Sequence, residues 1–181
     1  MNTVLVEFFE SWLGGRSSAV ARDLKLNIRR ALESGVLDET ESTLAVAATA
    51  TALGLDAAAQ VASKHLAELG SSEEAVREAR EVAAILGMLN TYYRFRHMLD
   101  AQVQEDYRST GLRMTALANP ALGKIRFEMA AFAVSVINGC PTCVTSHERV
   151  LREAGVGADK IHDLARIAAI LKGIEVLARV G

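Results

Sequence analysis

Val82-Ala83-Ala84-Ile85-Leu86 is an apolar run that returns, 85 positions later, as Ile167-Ala168-Ala169-Ile170-Leu171. The flanks return with it: Gly70 falls on Gly155, Arg94 on Arg179, and the acidic pair Glu74 and Glu78 on Asp159 and Asp163. A match of this kind, with glycine and arginine bracketing the same apolar core, is what an internal duplication leaves in a sequence. It predicts an all-α chain built from two pseudo-symmetric helical repeats, at roughly 38–95 and 122–180, within a single domain spanning residues 1–181.

The rest of the chain agrees with an all-helical reading. Apolar residues recur at helical spacing, and β-branched residues rarely alternate with polar ones. The spacing predicts helices over Val4–Leu13, Ser17–Ser34, Asp38–Leu53 and Asp56–Leu69. A long one runs from Ser71 through the Tyr92-Tyr93-Arg94 region, and others follow over Glu105–Leu117, Leu122–Ile137, Pro141–Ala154 and Asp159–Val180. Gly14-Gly15, Gly35, Gly54 and Gly70 serve as stops. Ser71 and Glu74 stand at capping-box spacing. Half of the 181 residues are hydrophobic, but much of that is alanine, and only 5% are aromatic, which suits closely packed helices.

The formal net charge of −2 makes no electrostatic case for nucleic acid or for an anionic membrane. Glu7 and Glu10 interrupt the first apolar stretch, so a signal peptide is not expected. The longest uncharged stretch, Met129–Ser146, carries Asn138, Gly139 and Pro141 in its middle, which a membrane helix would not. A cytoplasmic location is expected. In such a reducing compartment, a Cys-x-x-Cys pair points to catalysis or metal binding rather than to a structural staple.

That pair is Cys140-Pro141-Thr142-Cys143, and it uses both cysteines of the chain. Asn138-Gly139 ends the preceding helix, and Pro141 suits the first position of the next. Cys140 then becomes the N-cap and Cys143 the third helical residue, where backbone N–H groups and the helix dipole favour thiolate. His147 lies four residues beyond Cys143 and shares its helix face. An imidazole there can take the thiol proton, although a histidine on a largely apolar helix also serves as an ordinary hydrogen-bonded core residue. Glu128 precedes a run without charge, Met129–Ile137, and a carboxylate in that setting needs a partner. His147 is the candidate. The alternative is a solvated glutamate near a helix start. In antiparallel helices Glu128 lies about five residues deeper than His147, about 7 Å at helical rise. That gap calls for a loop offset or a bridging water.

The pattern Glu128, eleven residues, Cys140-x-x-Cys143, three residues, His147, together with the context Asn138-Gly139 and Ser146-His147-Glu148, resembles the AhpD-like alkylhydroperoxidases of the carboxymuconolactone decarboxylase superfamily. The resemblance extends over essentially the whole chain. It implies an antioxidant peroxidase that reduces organic hydroperoxides and binds no cofactor or metal. It implies a lipoyl-type dithiol (dihydrolipoamide) as electron donor, delivered by a dihydrolipoamide acyltransferase, and the peroxiredoxin AhpC as partner. A homotrimer is the implied assembly. Some relatives carry a histidine between the cysteines; Thr142 stands there in this chain.

On this reading Cys143 is peroxidatic and passes through a sulfenic acid, Cys140 donates a proton and resolves, His147 is the base, and Glu128 orients it and relays protons. The helix-cap argument alone favours Cys140 as much as Cys143; the relation to His147 and the family pattern select Cys143. Three alternatives remain at this stage. One is a dithiol oxidoreductase serving mainly a protein disulfide. Another is a helical binding protein stabilised by zinc on Cys140, Cys143, His147 and a carboxylate. The last is a superfamily member acting on a small lactone.

Overall fold

Glycine stands at the end of most of the helices, and the side chains of Asn2, Ser18, Asp38, Ser72 and Cys140 cap the starts of five. The structure, a computed structural model, describes residues 1–180. Among the described residues there are eight α-helices and no strand: α1 (Thr3–Gly14), α2 (Ala19–Glu33), α3 (Glu39–Leu53), α4 (Asp56–Glu68), α5 (Glu73–His97), α6 (Lys124–Ile137), α7 (Pro141–Glu153) and α8 (Ala158–Arg179). The all-α expectation therefore holds. Among the described residues no helix is long and apolar enough to cross a membrane. The helix starts at 39, 56 and 73 recur at 124, 141 and 158, so the order α3–α4–α5 is repeated by α6–α7–α8 at the offset of the sequence repeat.

The two helices that open these units form the centre. On α3, every residue from Glu41 to Ala50 is buried, and on α6 every residue from Met129 to Ser135. Both are rich in alanine and buried on all sides over these stretches, the signature of a helix enclosed by others. Accordingly α3 packs on α4, α5, α6 and α8, while α6 packs on α5, α7 and α8. Small side chains let these axes approach closely, and larger ones such as Phe9, Ile28, Leu44, Met129, Leu151, Leu164 and Leu171 fill the remaining space.

Polar residues lock the ends. Asp38 and Glu41 form a complete capping box at the start of α3. The expected box at Ser71 and Glu74 is absent. The Ser71 N–H is spent on the Leu66 carbonyl, completing the turn that ends α4 around left-handed Gly70. Ser72, in extended conformation, caps α5 by accepting the Ala75 N–H at 3.2 Å.

The expected helix over Glu105–Leu117 is not formed. Only two short 3₁₀ turns occur there, Gln104–Tyr107 and Thr115–Leu117. Ser109-Thr110-Gly111 interrupts the pattern with a left-handed glycine, φ 61°. No residue from 101 to 118 is buried, so no apolar face repays the cost of helix formation. This stretch is a strap instead. It is held by the Leu122 N–H, which donates to Glu78 at 2.7 Å, and by the Tyr92 hydroxyl, 3.2 Å from the carbonyls of Tyr107 and Ser109.

The link between α2 and α3 shows why one glycine is required. Asp163 of α8, buried and paired with Arg166 at 2.8 Å, accepts the Val36 N–H at 2.8 Å. Gly35 sits directly against that carboxylate and the Ala31 carbonyl, where a Cβ has no room. The Gly35→Ala variant is expected to lose about 1–3 kcal/mol, read as a lower urea midpoint with unchanged slope.

Candidate active site

The site forms where α6 turns into α7. After Ile137 the chain passes Asn138 and left-handed Gly139, φ 61°, and the Cys140 N–H returns to the Ser135 carbonyl at 3.2 Å. This closes α6 and starts α7 at once. Cys140 is the N-cap of α7 and Pro141 its first residue. The Sγ atom of Cys140 accepts the Cys143 N–H at 3.3 Å, so a sulfur stands where a serine or aspartate oxygen would normally cap the helix. Negative charge on that sulfur is favoured by the N–H and by the helix dipole.

The two cysteines are joined in a disulfide, with Cα atoms 5.3 Å apart. Their surroundings differ. Cys140 is wholly enclosed, whereas Cys143 retains 7% exposure and forms part of a cavity wall. The cavity has a volume of about 640 Å³ and lies between α5, the strap, α6 and α7. Its apolar walls include Leu86, Leu89, Tyr93, Met114, Leu117 and Phe127, and Lys124, Glu128 and His147 supply charge or polarity. Few convergent polar groups in an otherwise apolar hollow is the usual form of a small-molecule site.

His147 and Glu128 meet directly. Nδ1 of His147 lies 2.6 Å from Oε2 of Glu128, and both side chains are less than one-fifth exposed. No bridging water is needed. The offset expected from helical rise treats side chains as points on parallel axes, and a glutamate arm and an imidazole together span it. The solvated-glutamate alternative also fails, because Glu128 faces the imidazole inside the cavity. With Nδ1 donating to the carboxylate, Nε2 is left as the nitrogen that accepts or returns a proton.

The structure thus brings Cys143, His147 and Glu128 to one cavity and places Cys140 behind it. Among the described residues, no three histidine, cysteine, aspartate or glutamate side chains are gathered so as to hold a metal ion. The other histidines lie outside the site. His65 is buried between Glu39 at 3.0 Å and Glu68 at 3.4 Å, while His97 and His162 are exposed.

Sequence reasoning missed the strap residues, since they were assigned to a helix, and it missed Asn90. This asparagine is fully buried on α5, donates to the Ser135 hydroxyl at 3.0 Å and accepts from the Asn138 side chain at 2.9 Å. Its signal was present: a poor helix former directly after Leu89, within the apolar face of a long helix.

A helical chain with a dithiol pair at a helix start, a histidine one turn on and a glutamate on the preceding helix defines a class of thiol-dependent redox proteins. Comparison with known sequences narrows it. The carboxymuconolactone decarboxylase family matches residues 106–180. The alkyl hydroperoxide reductase AhpD of Anaeromyxobacter sp. (strain K) is 40% identical over 157 residues, covering 86% of this chain and 83% of that protein. The AhpD of Mycobacterium ulcerans (strain Agy99) is 42% identical over 162 residues, covering 85% of each. That of Streptomyces coelicolor is 38% identical over 159 residues, covering 86% of each. The chain belongs to the AhpD-like alkylhydroperoxidase family of the carboxymuconolactone decarboxylase superfamily.

The unequal burial of the cysteines has a measurable consequence. After reduction, a small alkylating agent is expected to modify Cys143 more than about tenfold faster than Cys140. Peptide mass mapping of a time course reads this directly.

Proposed function

We propose that this chain is an alkyl hydroperoxide reductase: a thiol peroxidase that reduces organic hydroperoxides through the Cys140–Cys143 dithiol/disulfide cycle. The observation that carries the reading is the arrangement of one cavity. Cys143 opens into it beside the His147–Glu128 pair, and Cys140 lies sealed behind, bonded to Cys143. The names of the AhpD relatives point the same way.

The cycle starts from the dithiol. His147 takes the proton of Cys143, and Glu128 holds the imidazole in the tautomer that allows this and stabilises the imidazolium. The Cys143 thiolate attacks the terminal oxygen of the hydroperoxide. The O–O bond breaks, the sulfur becomes a sulfenic acid, and an alkoxide leaves. Cys140 gives that alkoxide its proton, producing an alcohol. The Cys140 thiolate, steadied by the Cys143 N–H and the helix start, then attacks the sulfenic sulfur. Hydroxide leaves and takes the proton from His147 to form water. One hydroperoxide and two thiols have become one alcohol, one water and one disulfide.

Re-reduction follows from the same asymmetry. An external thiolate reaches Cys143, the sulfur on the cavity, and expels Cys140. The leaving sulfur is the one held at the helix N-cap, which lowers the cost of its negative charge. A largely apolar cavity of about 640 Å³ has room for an extended dithiol arm, so a lipoyl-type dithiol is the proposed electron donor, carried by a dihydrolipoamide acyltransferase. The reduced pair would in turn serve a partner peroxiredoxin of the AhpC kind. A homotrimer in the cytoplasm is the proposed setting.

With cumene hydroperoxide and dihydrolipoamide, the wild type is expected to turn over, and Cys143→Ser to lose all activity. Cys140→Ser is expected to stop at a sulfenic acid that dimedone captures. His147→Gln is expected to fall by about 10²–10⁴-fold, and Glu128→Gln by less. Full activity in Cys143→Ser, or a dimedone adduct on Cys140 in that variant, would contradict the assignment.

A further inference from the structure

The turn that presents the cysteines has a twin in the same chain. Between α3 and α4, Gly54 is left-handed at φ 69°, the Gly54 N–H donates to the Thr51 carbonyl at 3.2 Å, and the Leu55 N–H to Ala50 at 2.9 Å. Between α6 and α7, Gly139 is left-handed at φ 61°, and its N–H donates to Val136 at 3.1 Å. There the Cys140 N–H donates to Ser135 at 3.2 Å. The left-handed glycine and these two backbone hydrogen bonds recur at matching positions. The side chains around the two turns differ.

Among the described residues, α5 grips the cysteine-bearing turn from outside, and α8 does not grip its counterpart. Arg94 of α5 donates through Nη1 to the Asn138 carbonyl at 2.6 Å. One helical turn earlier, Asn90 accepts from Asn138 Nδ2 at 2.9 Å and donates to the Ser135 hydroxyl at 3.0 Å. Two residues of one face of α5 thus hold both the carbonyl and the side chain of Asn138, two positions before Cys140. The counterparts of Asn90 and Arg94 in the second unit are Glu175 and Arg179 of α8. They bond to each other at 2.6 Å, and among the described residues no side chain of α8 is hydrogen-bonded to the turn at Gly54. The turn therefore forms without a clamp where no cysteine depends on it.

We propose that Arg94 and Asn90 are positioning residues for the cysteine pair, and that their grip on Asn138 sets the stability of the Cys140–Cys143 disulfide. A dithiol whose two sulfurs are already held face to face loses little freedom when the ring closes, so its effective concentration is high. Releasing Asn138 frees Cys140 in the dithiol state and makes closure costlier. The proposal depends on the cycling of the pair invoked above, but its test needs no hydroperoxide. A failed peroxidase assay would leave it standing.

The test equilibrates the protein with mixtures of reduced and oxidised dithiothreitol, and counts free thiols by the mass added on alkylation. Arg94→Met is expected to shift the equilibrium about tenfold toward the dithiol, equivalent to about 30 mV. Arg94→Lys, which keeps a cationic donor, should recover part of the shift. Arg179→Met, the counterpart on α8, should leave the equilibrium at the wild-type value. If Arg94→Met fails to fold, Asn138→Ala, which removes only the arm to Asn90, should still move the equilibrium in the same direction. An unchanged equilibrium in folded Arg94→Met, even with a lowered melting temperature, would overturn the proposal. So would an equal shift in Arg179→Met.

Discussion

Helix α6 has no polar face between Met129 and Ser135, and everything at the site depends on that. A helix enclosed on all sides cannot turn about its axis or slide without opening voids among Ala130, Ala131, Phe132 and Val134. Its ends are therefore fixed points. Glu128 stands at one end and the Asn138-Gly139 turn at the other. The carboxylate that meets His147 and the turn that delivers Cys140 are both carried by one immobile rod. Chemistry that tolerates errors of well under an ångström needs such a support.

The same rod explains the unequal standing of the two sulfurs. The tight return of the Cys140 N–H to Ser135 draws Cys140 into the helix junction, where it has no exposure. Three residues later, the first turn of α7 has swung outward, and Cys143 reaches the cavity. An N-cap and an N3 residue necessarily occupy different depths when the helix start is buried. Access for one sulfur and enclosure for the other thus follow from helix geometry rather than from any special wall.

Helices α3–α4–α5 and α6–α7–α8 start at the same 85-residue spacing, and the cysteines lie in the second set. The units beginning at Glu39 and Lys124 share helix order and the glycine turn, yet Leu55 and Ala58 stand where Cys140 and Cys143 stand. In the first unit the enclosed positions go to apolar side chains and contribute only packing. In the second they carry thiols, and the neighbouring α5 supplies Asn90 and Arg94, which bond to Ser135 and Asn138 beside that turn. A buried asparagine with both ends of its amide paired adds positional definition that an apolar residue would not.

Much of this was legible from the chain alone, for a local reason. Helix periodicity, glycine stops, proline at the first turn and the spacing of Cys140, Cys143 and His147 all concern residues within a turn or two of one another, where backbone geometry leaves few choices. The contact between Glu128 and His147, by contrast, joins two helices, and rise per residue does not state how far side chains reach across. Glu105–Leu117 keeps a helical rhythm in sequence yet forms only two short 3₁₀ turns, because Gly111 is left-handed and none of its residues is buried deeply enough to repay a helix. The cavity itself, the enclosure of Cys140 and the grip of α5 on Asn138 arise from packing between segments more than forty residues apart. Local sequence determined which residues could do the chemistry. Only the burial of α6 against its neighbours decided which of them face each other, because burial, unlike periodicity, is a property of the whole chain.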